Sequence, residues 1–340
     1  MRTLTIPAIN ATVGEVGYGL MGLTWRPDPL SEEHAFKAMK TALAQGCNLW
    51  NGGEFYGPPE HNSLTLLNTY FTKYPEDADK IVLTIKGCVS GNDPDSSPTG
   101  IRASLERCLA QLPPSVKTID IFEPARLTPG FPIEDTAAAF AELIREGKIK
   151  GYSLSEVRGE TIRRAHKVHP VSVVEVELSL WATEPLEKQN EAAEACAELG
   201  VPMVAYSPIG QGMLSGDIKS LDDLPPDDMR RHFPRFTPEI FPLNLKLVDE
   251  VQKLATKKQV TGAQVAIAWV LARPHHFKFA GQLTVIPIPG STSEKRILEN
   301  AGACEVEWTE EDEREVGRIL SEVEVVGMRY PEVSMKYCSQ

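Results

Sequence analysis

The alternation of short apolar runs with helix-period segments along the 340 residues constrains the fold more than any single motif does. Strand-like runs fall at Val13 to Gly22, Cys47 to Asn51, Ile81 to Ile85, Thr118 to Phe122, Ile149 to Tyr152, Ser172 to Val176, Met203 to Tyr206 and Thr284 to Ile288. Helical patterns separate them at Ser31 to Gln45 and near 60–71, 98–111, 134–146, 157–167, 186–199 and 243–258, and a last one lies near 293–300. Eight strands with seven intervening helices predict an α/β chain folded as a (β/α)8 TIM barrel, one domain over residues 1–340, rather than an open sheet. The loops that follow the strands of such a barrel share one mouth, so residues distant in sequence converge there. The Pro/Gly/Asp-rich stretch 89–98 and the polar stretch 210–241 read as mouth loops, the second long enough to cover a ligand. In a C-terminal extension, Thr309 can cap a helix with an acidic first turn, expected to pack against the barrel or edge its mouth.

Composition narrows the function classes. A formal charge of -12 argues against a surface that attracts phosphate backbones, so no nucleic-acid partner is expected. Neither a signal-like N-terminus nor a membrane-spanning apolar run is apparent, which makes a cytoplasmic location the expectation. The six cysteines lack CxxC spacing and read as reduced, packed thiols; the seven histidines show no zinc- or iron-ligand spacing, so no metal is expected. Oligomeric state is not legible in one chain.

Two residue types at adjacent strand exits suggest carbonyl chemistry. Tyr56 follows Asn48-Leu-Trp-Asn-Gly-Gly-Glu-Phe, and Lys86 ends the run Ile81-Val-Leu-Thr-Ile. A phenol can give a proton to a developing alkoxide, and an ammonium can stabilise the phenolate left behind. Lys86 is also expected to draw the Tyr56 pKa down from its ordinary value near 10. No strand-borne Gly-x-Gly-x-x-Gly fingerprint leading directly into a helical pattern and no Gly-Lys-Ser/Thr loop is found, so a nucleotide would need another cradle. The best is Ile286-Pro-Ile-Pro-Gly-Ser-Thr-Ser-Glu-Lys-Arg296, where Gly290, Ser291 and Thr292 precede a helix start and Lys295 and Arg296 bring charge. A second glycine-rich exit carries Tyr206, Ser207, Pro208, Gly210, Gly212 and Leu214, while Ser155 and Glu175 add polar groups at two strands between.

With these segments together the chain resembles the aldo-keto reductases: Asn48 to Gly57, Lys86, Gly151-Tyr-Ser-Leu-Ser155, Ala205-Tyr-Ser-Pro208, Gln211 to Gly216, and Pro289-Gly-Ser291 through Arg296, Glu299 and Asn300. The resemblance implies NADPH extended across the mouth, its nicotinamide near Tyr56, Ser155 and Glu175 and its 2'-phosphate near the last strand and helix. Two positions depart from the family tetrad. Asn51 stands at the aspartate position, where it can orient Lys86 without forming an ion pair, and Ala125 stands where a histidine orients the carbonyl. Glu175 and Glu156 replace a common glutamine and asparagine near the nicotinamide. Glu123 and Arg126 are candidate contacts to a polar substituent of the substrate, and Trp25, Trp50, Phe55 and Trp181 are candidate walls for a flat ring.

Within the family, Gly19 to Pro27, Trp50 to Gly57, Ala125-Arg126 and Gly327-Met-Arg-Tyr330 resemble the fungal pyridoxal reductases. The implied activity is NADPH-dependent reduction of pyridoxal to pyridoxine. The alternatives are reduction of another aromatic or secondary-metabolite carbonyl, and a non-catalytic NADPH-binding regulatory barrel.

Overall fold

The computed structural model describes residues 1–91, 93–277 and 279–338. Strands β1 (Thr3–Ile6) and β2 (Ala11–Gly14) pair as an antiparallel hairpin before the barrel begins at β3 (Tyr18–Gly19). The short α1 (Met21–Thr24) and α2 (Glu32–Ala44) lead to β4 (Leu49–Gly53), and α3 (Ser63–Lys73) to β5 (Val82–Gly87). A small hairpin, β6 (Val89–Ser90) with β7 (Asp93–Pro94), rises from that strand's end, where the 89–98 loop was expected; Asn92 of that stretch lies outside the described residues. Next come α4 (Pro98–Gln111), β8 (Ile121–Pro124), α5 (Ile133–Arg145), β9 (Gly151–Ser155), α6 (Gly159–Val168), β10 (Val173–Glu177), α7 (Ala192–Leu199) and β11 (Met203–Tyr206). Helices α8 (Phe241–Lys258) and α9 (Gly262–His276) precede β12 (Val285–Pro287), and α10 (Glu294–Ala301), α11 (Glu310–Glu322) and α12 (Glu332–Met335) finish the chain.

Eight strands run parallel in the order β12-β11-β10-β9-β8-β5-β4-β3. The sheet closes on itself: Gly17 N donates to Pro287 O at 2.9 Å, and Gly19 bridges Gly290 in parallel. This is the (β/α)8 barrel. The N-terminal hairpin plugs its bottom, where Ile6 and Val13 pack on Leu49, Ile121, Val173, Val204 and Ile286, each at or near the start of a barrel strand. At roughly 1.5–3 kcal/mol per buried aliphatic side chain, this plug outweighs the few hydrogen bonds of the hairpin itself.

Three expectations about elements need correction. The run from Val13 to Gly22 is not one strand: Val13 and Gly14 end the plug hairpin, only Tyr18 and Gly19 are barrel strand, and Met21 starts a helical turn. The helix expected at 186–199 begins only at Ala192. Helix α9 had no counterpart, because it is apolar on nearly every face, with Val265, Ala266, Ile267, Ala268, Trp269 and Val270 all buried in succession. Stretch 210–241 is a chain of short 3-10 turns. Helix α11 is capped by Thr309 as expected and packs outside the barrel, where Arg273 on α9 grips Glu313 with two bonds of 2.8 and 2.5 Å.

Candidate active site

Register builds the centre of the mouth. Gly53, Lys86 and Glu123 are neighbours across β4, β5 and β8, so the lysine and the glutamate point to the same side of the sheet, into the barrel. Lys86 Nζ donates to Asn51 Oδ1 at 3.0 Å, is ion-paired to Glu175, and lies 3.3 Å from Glu123 Oε1. Glu175 comes from β10 across the barrel, and its second oxygen accepts from Asn51 Nδ2 at 2.7 Å. Ser153 donates to the other oxygen of Glu123. All of these side chains are buried, Glu123 completely.

Tyr56, on the loop after β4, covers this cage. Its ring centroid lies 5.8 Å from Lys86 Nζ, close enough for the ammonium to act on the phenol. Thr24 Oγ1 donates to its carbonyl at 2.6 Å and fixes the loop. Burial raises the phenol above its ordinary value; Lys86 pulls the other way, as expected from the sequence, but desolvation is the larger effect. Burial lowers Lys86, yet Glu175, Tyr56 and Glu123 outweigh that and keep it firmly an ammonium. Burial and the neighbouring Glu123 push the Glu175 carboxyl up to about 8, against the opposing effect of Lys86. In the resting site Tyr56 is therefore a neutral proton donor beside an ammonium.

The other sequence-predicted residues divide by position. Asn51 accepts from Lys86 as expected, whereas Glu175, expected against a nicotinamide amide, has both oxygens occupied within the lysine cage. Glu123, expected at the substrate, is turned to Lys86 and Ser153. Arg126 is half-buried at the mouth, its Nη1 3.2 Å from Ser155 Oγ and its Nη2 3.5 Å from Tyr206 Oη. Trp25 is 41% exposed with its ring centroid 5.6 Å from that of Tyr56, and Phe55 packs edge-on against it. Trp50 is core, its indole N–H donating to Cys47 O, and Trp181 is buried in a stack on Phe236.

The glycine-rich exits form a cradle. After Tyr206, the left-handed residues Ser207, Gly210, Gln211 and Gly212 recur within six positions, a backbone path that gathers N–H groups into a concavity. A side chain at Gly210 would come within 3.0 Å of Trp181. Pro208 lies within this turn, and Leu214 ends it buried in the core. Across the seam Gly290 lies so close to Gly19 that a Cβ would stand 3.1 Å from its carbonyl oxygen. Ser291 and Thr292 are fixed by Tyr18 and His34 through their carbonyls, at 2.5 and 2.7 Å. The first turn of α10 carries no side-chain cap, which leaves its N–H groups for an anion. Lys295 and Arg296 are exposed there, Glu299 is half-buried and Asn300 is buried; Arg296 pairs with Asp217 at 3.0 Å across the gap between the two cradle segments.

Sequence reasoning missed Arg329 as a site residue. The segment after α11 returns to the mouth, and Arg329, itself buried, meets Glu156 at 2.6 Å and Glu177 at 3.0 Å. Tyr330 Oη donates to Tyr206 Oη at 3.0 Å, which in turn donates to Glu156 at 3.0 Å. Burial pushes the Glu156 carboxyl up, but Arg329 and Arg126 outweigh it and hold it at about 2. The signal present in the sequence was the pair of carboxylates, Glu156 and Glu177, at barrel-strand exits.

Comparisons with known proteins agree with this geometry. Residues 15–320 match the Aldo/keto reductase family. The chain is 36% identical to a protein named probable pyridoxal reductase 2 from Schizosaccharomyces pombe, over 96% of this chain and 97% of the relative. It is likewise 36% identical to a putative pyridoxal reductase of Saccharomyces cerevisiae, over 93% and 95%. Among solved structures, a glycerol dehydrogenase from Gluconobacter oxydans superposes with a TM-score of 0.80 at 23% identity, over 96% and 97% of the two chains.

Proposed function

The chain belongs to the aldo/keto reductase family, and on that premise we propose that it reduces pyridoxal to pyridoxine with NADPH. The observation that carries this reading is the buried Tyr56–Lys86 couple beneath the half-open ring of Trp25. NADPH supplies the hydride to the aldehyde carbon when bound. Its phosphates suit the backbone donors around Ser207 to Gly212 and Gly290 to Thr292, with Lys295 and Arg296 for a 2'-phosphate and Glu299 and Asn300 for the adjoining nucleoside. Tyr206 and Ser155 line the stretch of mouth between that cradle and Tyr56.

The protein's own part is to hold the carbonyl and give a proton. Tyr56 Oη releases its proton to the developing alkoxide, and Lys86 Nζ stabilises the phenolate that remains. Asn51 fixes the direction of Lys86 through the 3.0 Å bond. Ala125 contributes no polar group; its small side chain leaves room for a ring, and Trp25 forms an apolar wall. Arg126 is suited to the phenolic or hydroxymethyl oxygen of pyridoxal, and Glu123, turned inward, is not. The names of the relatives from the two yeasts support pyridoxal as the aldehyde.

The test is NADPH oxidation in parallel with pyridoxal, pyridoxal 5'-phosphate and benzaldehyde. A site that hydrogen-bonds the pyridoxal hydroxyls should favour pyridoxal over benzaldehyde in kcat/KM by at least about 100-fold. Preference for another aldehyde overturns the substrate and leaves a reductase. Cofactor binding without turnover of any aldehyde favours a non-catalytic barrel.

A further inference from the structure

Two carboxylates face one ammonium in the cage under Tyr56, the only cation ion-paired to either of them among the described residues. Lys86 on β5 meets Glu123 on β8 at 3.3 Å and Glu175 on β10 in closer contact. Tyr56, Asn51 and Ser153 complete the surroundings, and the Cys88 thiol, raised chiefly by burial, also feels the Glu123 charge. Fully ionised, this buried cluster would carry a net negative charge, which burial makes costly. The hydrogen bonding points the same way. Glu123 Oε1 is completely buried and has no hydrogen-bond partner among the described residues, and it stands 3.3 Å from the same ammonium that Glu175 grips, so a proton held between the two carboxyls would fill its unmade bond.

Building on the reductase reading above, we propose that Glu123 and Glu175 share one proton, and that this pair is both the counter-ion of Lys86 and the proton store that recharges Tyr56. The pair occupies neither of the two tetrad positions that depart from the family pattern, Asn51 and Ala125; it supplies from β8 and β10 the negative charge that Asn51 cannot. The step balances. As the product O–H bond forms, the Tyr56 O–H bond breaks. Lys86 Nζ then passes a proton to Tyr56 Oη, and the shared carboxyl proton moves to Lys86 Nζ. Lys86 is again an ammonium and Tyr56 a phenol, the pair is a dianion, and it regains its proton from solvent once product has left.

Both carboxyls act through Lys86, so they are positioning residues, and the proton belongs to the pair rather than to either one. Removing either carboxyl removes the repulsion that keeps the proton, so Glu123→Gln and Glu175→Gln should have the same effect. The direction of the pH effect follows from a folded-state pKa of Glu175 raised above its ordinary 4.5. The cage is neutral and competent for reduction below the raised value and loses its stored proton as pH rises through it. Reductive kcat/KM of the wild type should therefore fall on that alkaline side.

The experiment combines that pH profile with infrared difference spectra of the full-length protein without added cofactor, recorded across the same range. The expected result is a protonated-carboxyl band in the wild type that vanishes on alkalinisation. It should be missing from both single variants, whose alkaline limb moves higher, toward the titration of Tyr56. Glu177, the other buried acid with a raised pKa, is paired to Arg329, and any band it gives survives both substitutions. A wild type with no titrating protonated carboxyl overturns the proposal without recourse to a variant. A band that persists in both variants overturns it too, as does an even loss of activity with an unmoved pH limb. If pyridoxal is not the substrate, band and limb remain measurable with whichever aldehyde is turned over, so that failure strikes the substrate and not the pair.

Discussion

Asn51 stands where the family pattern has an aspartate, yet in this cage an amide does what a carboxylate cannot. Its Oδ1 accepts from Lys86 at 3.0 Å while its Nδ2 donates to Glu175 at 2.7 Å. Asn51→Asp would restore the family residue and still harm the protein, because it removes the donor and adds a third carboxyl to a buried cage with one ammonium. We expect kcat/KM to fall at least tenfold and stability to drop by about 1–3 kcal/mol, read from steady-state rates and urea denaturation; a faster enzyme would show that Glu175 does not depend on the amide. Tyr56 and Lys86 were legible in the sequence because their residue types at strand exits already name a chemistry, and Asn51 only through the family resemblance. The turning of Glu123 and Glu175 toward Lys86 was not, because it depends on which strands are neighbours and on which layer of the barrel each residue reaches. The burial of Tyr56, which reverses the expected direction of its pKa, has the same origin.

Among the elements, the periodic helices were readable and the apolar ones were not. Helices α4 and α5 alternate buried and exposed residues and lie within a residue of where their patterns placed them. Helix α9 is buried all round and offered no period to read. The first barrel strand was overextended because the run from Val13 to Gly22 is, apart from Glu15, apolar residues and glycine, and nothing in it marks where one short element gives way to the next. The C-terminal return contributes Arg329, which neutralises Glu156 and Glu177. Arg329→Ala breaks the buried ion pairs of both Glu156 and Glu177, leaving only the more distant pull of Arg126 on Glu156, and should cost about 3–5 kcal/mol in urea denaturation. It should also raise KM for the aldehyde, since Tyr330 would lose its anchor beside Tyr206. An unchanged KM would place the strap outside the substrate path. At the other side of the mouth, Lys295→Ala/Arg296→Ala should raise KM for NADPH at least about tenfold while changing that for NADH little, given charge-assisted bonds of about 1.5–3 kcal/mol. Equal effects on both cofactors would remove these side chains from the 2'-phosphate.

At the scale of the whole molecule, closure of the barrel brings the site together. The seam at Gly19 and Gly290 sets β3 beside β12, and so places the loop carrying Tyr56 and the cradle at Gly290 on one rim. The hairpin plug seals the opposite end, leaving the chemistry to the mouth. The overall charge of -12 does not prevent an anionic cofactor from binding, because Lys295 and Arg296 offer a local positive edge. The alternation of strands and helices announced this architecture; the seam and the plug were hidden, since both depend on contacts between the chain's beginning and residues far along it. The most direct measurement compares Tyr56→Phe with the wild type in pyridoxal reduction, with NADPH affinity followed by binding in the same samples. Loss of a positioned general acid predicts a fall in kcat of about 10²–10⁴-fold with cofactor affinity unchanged. Retention of wild-type turnover would contradict the assignment of Tyr56 as proton donor.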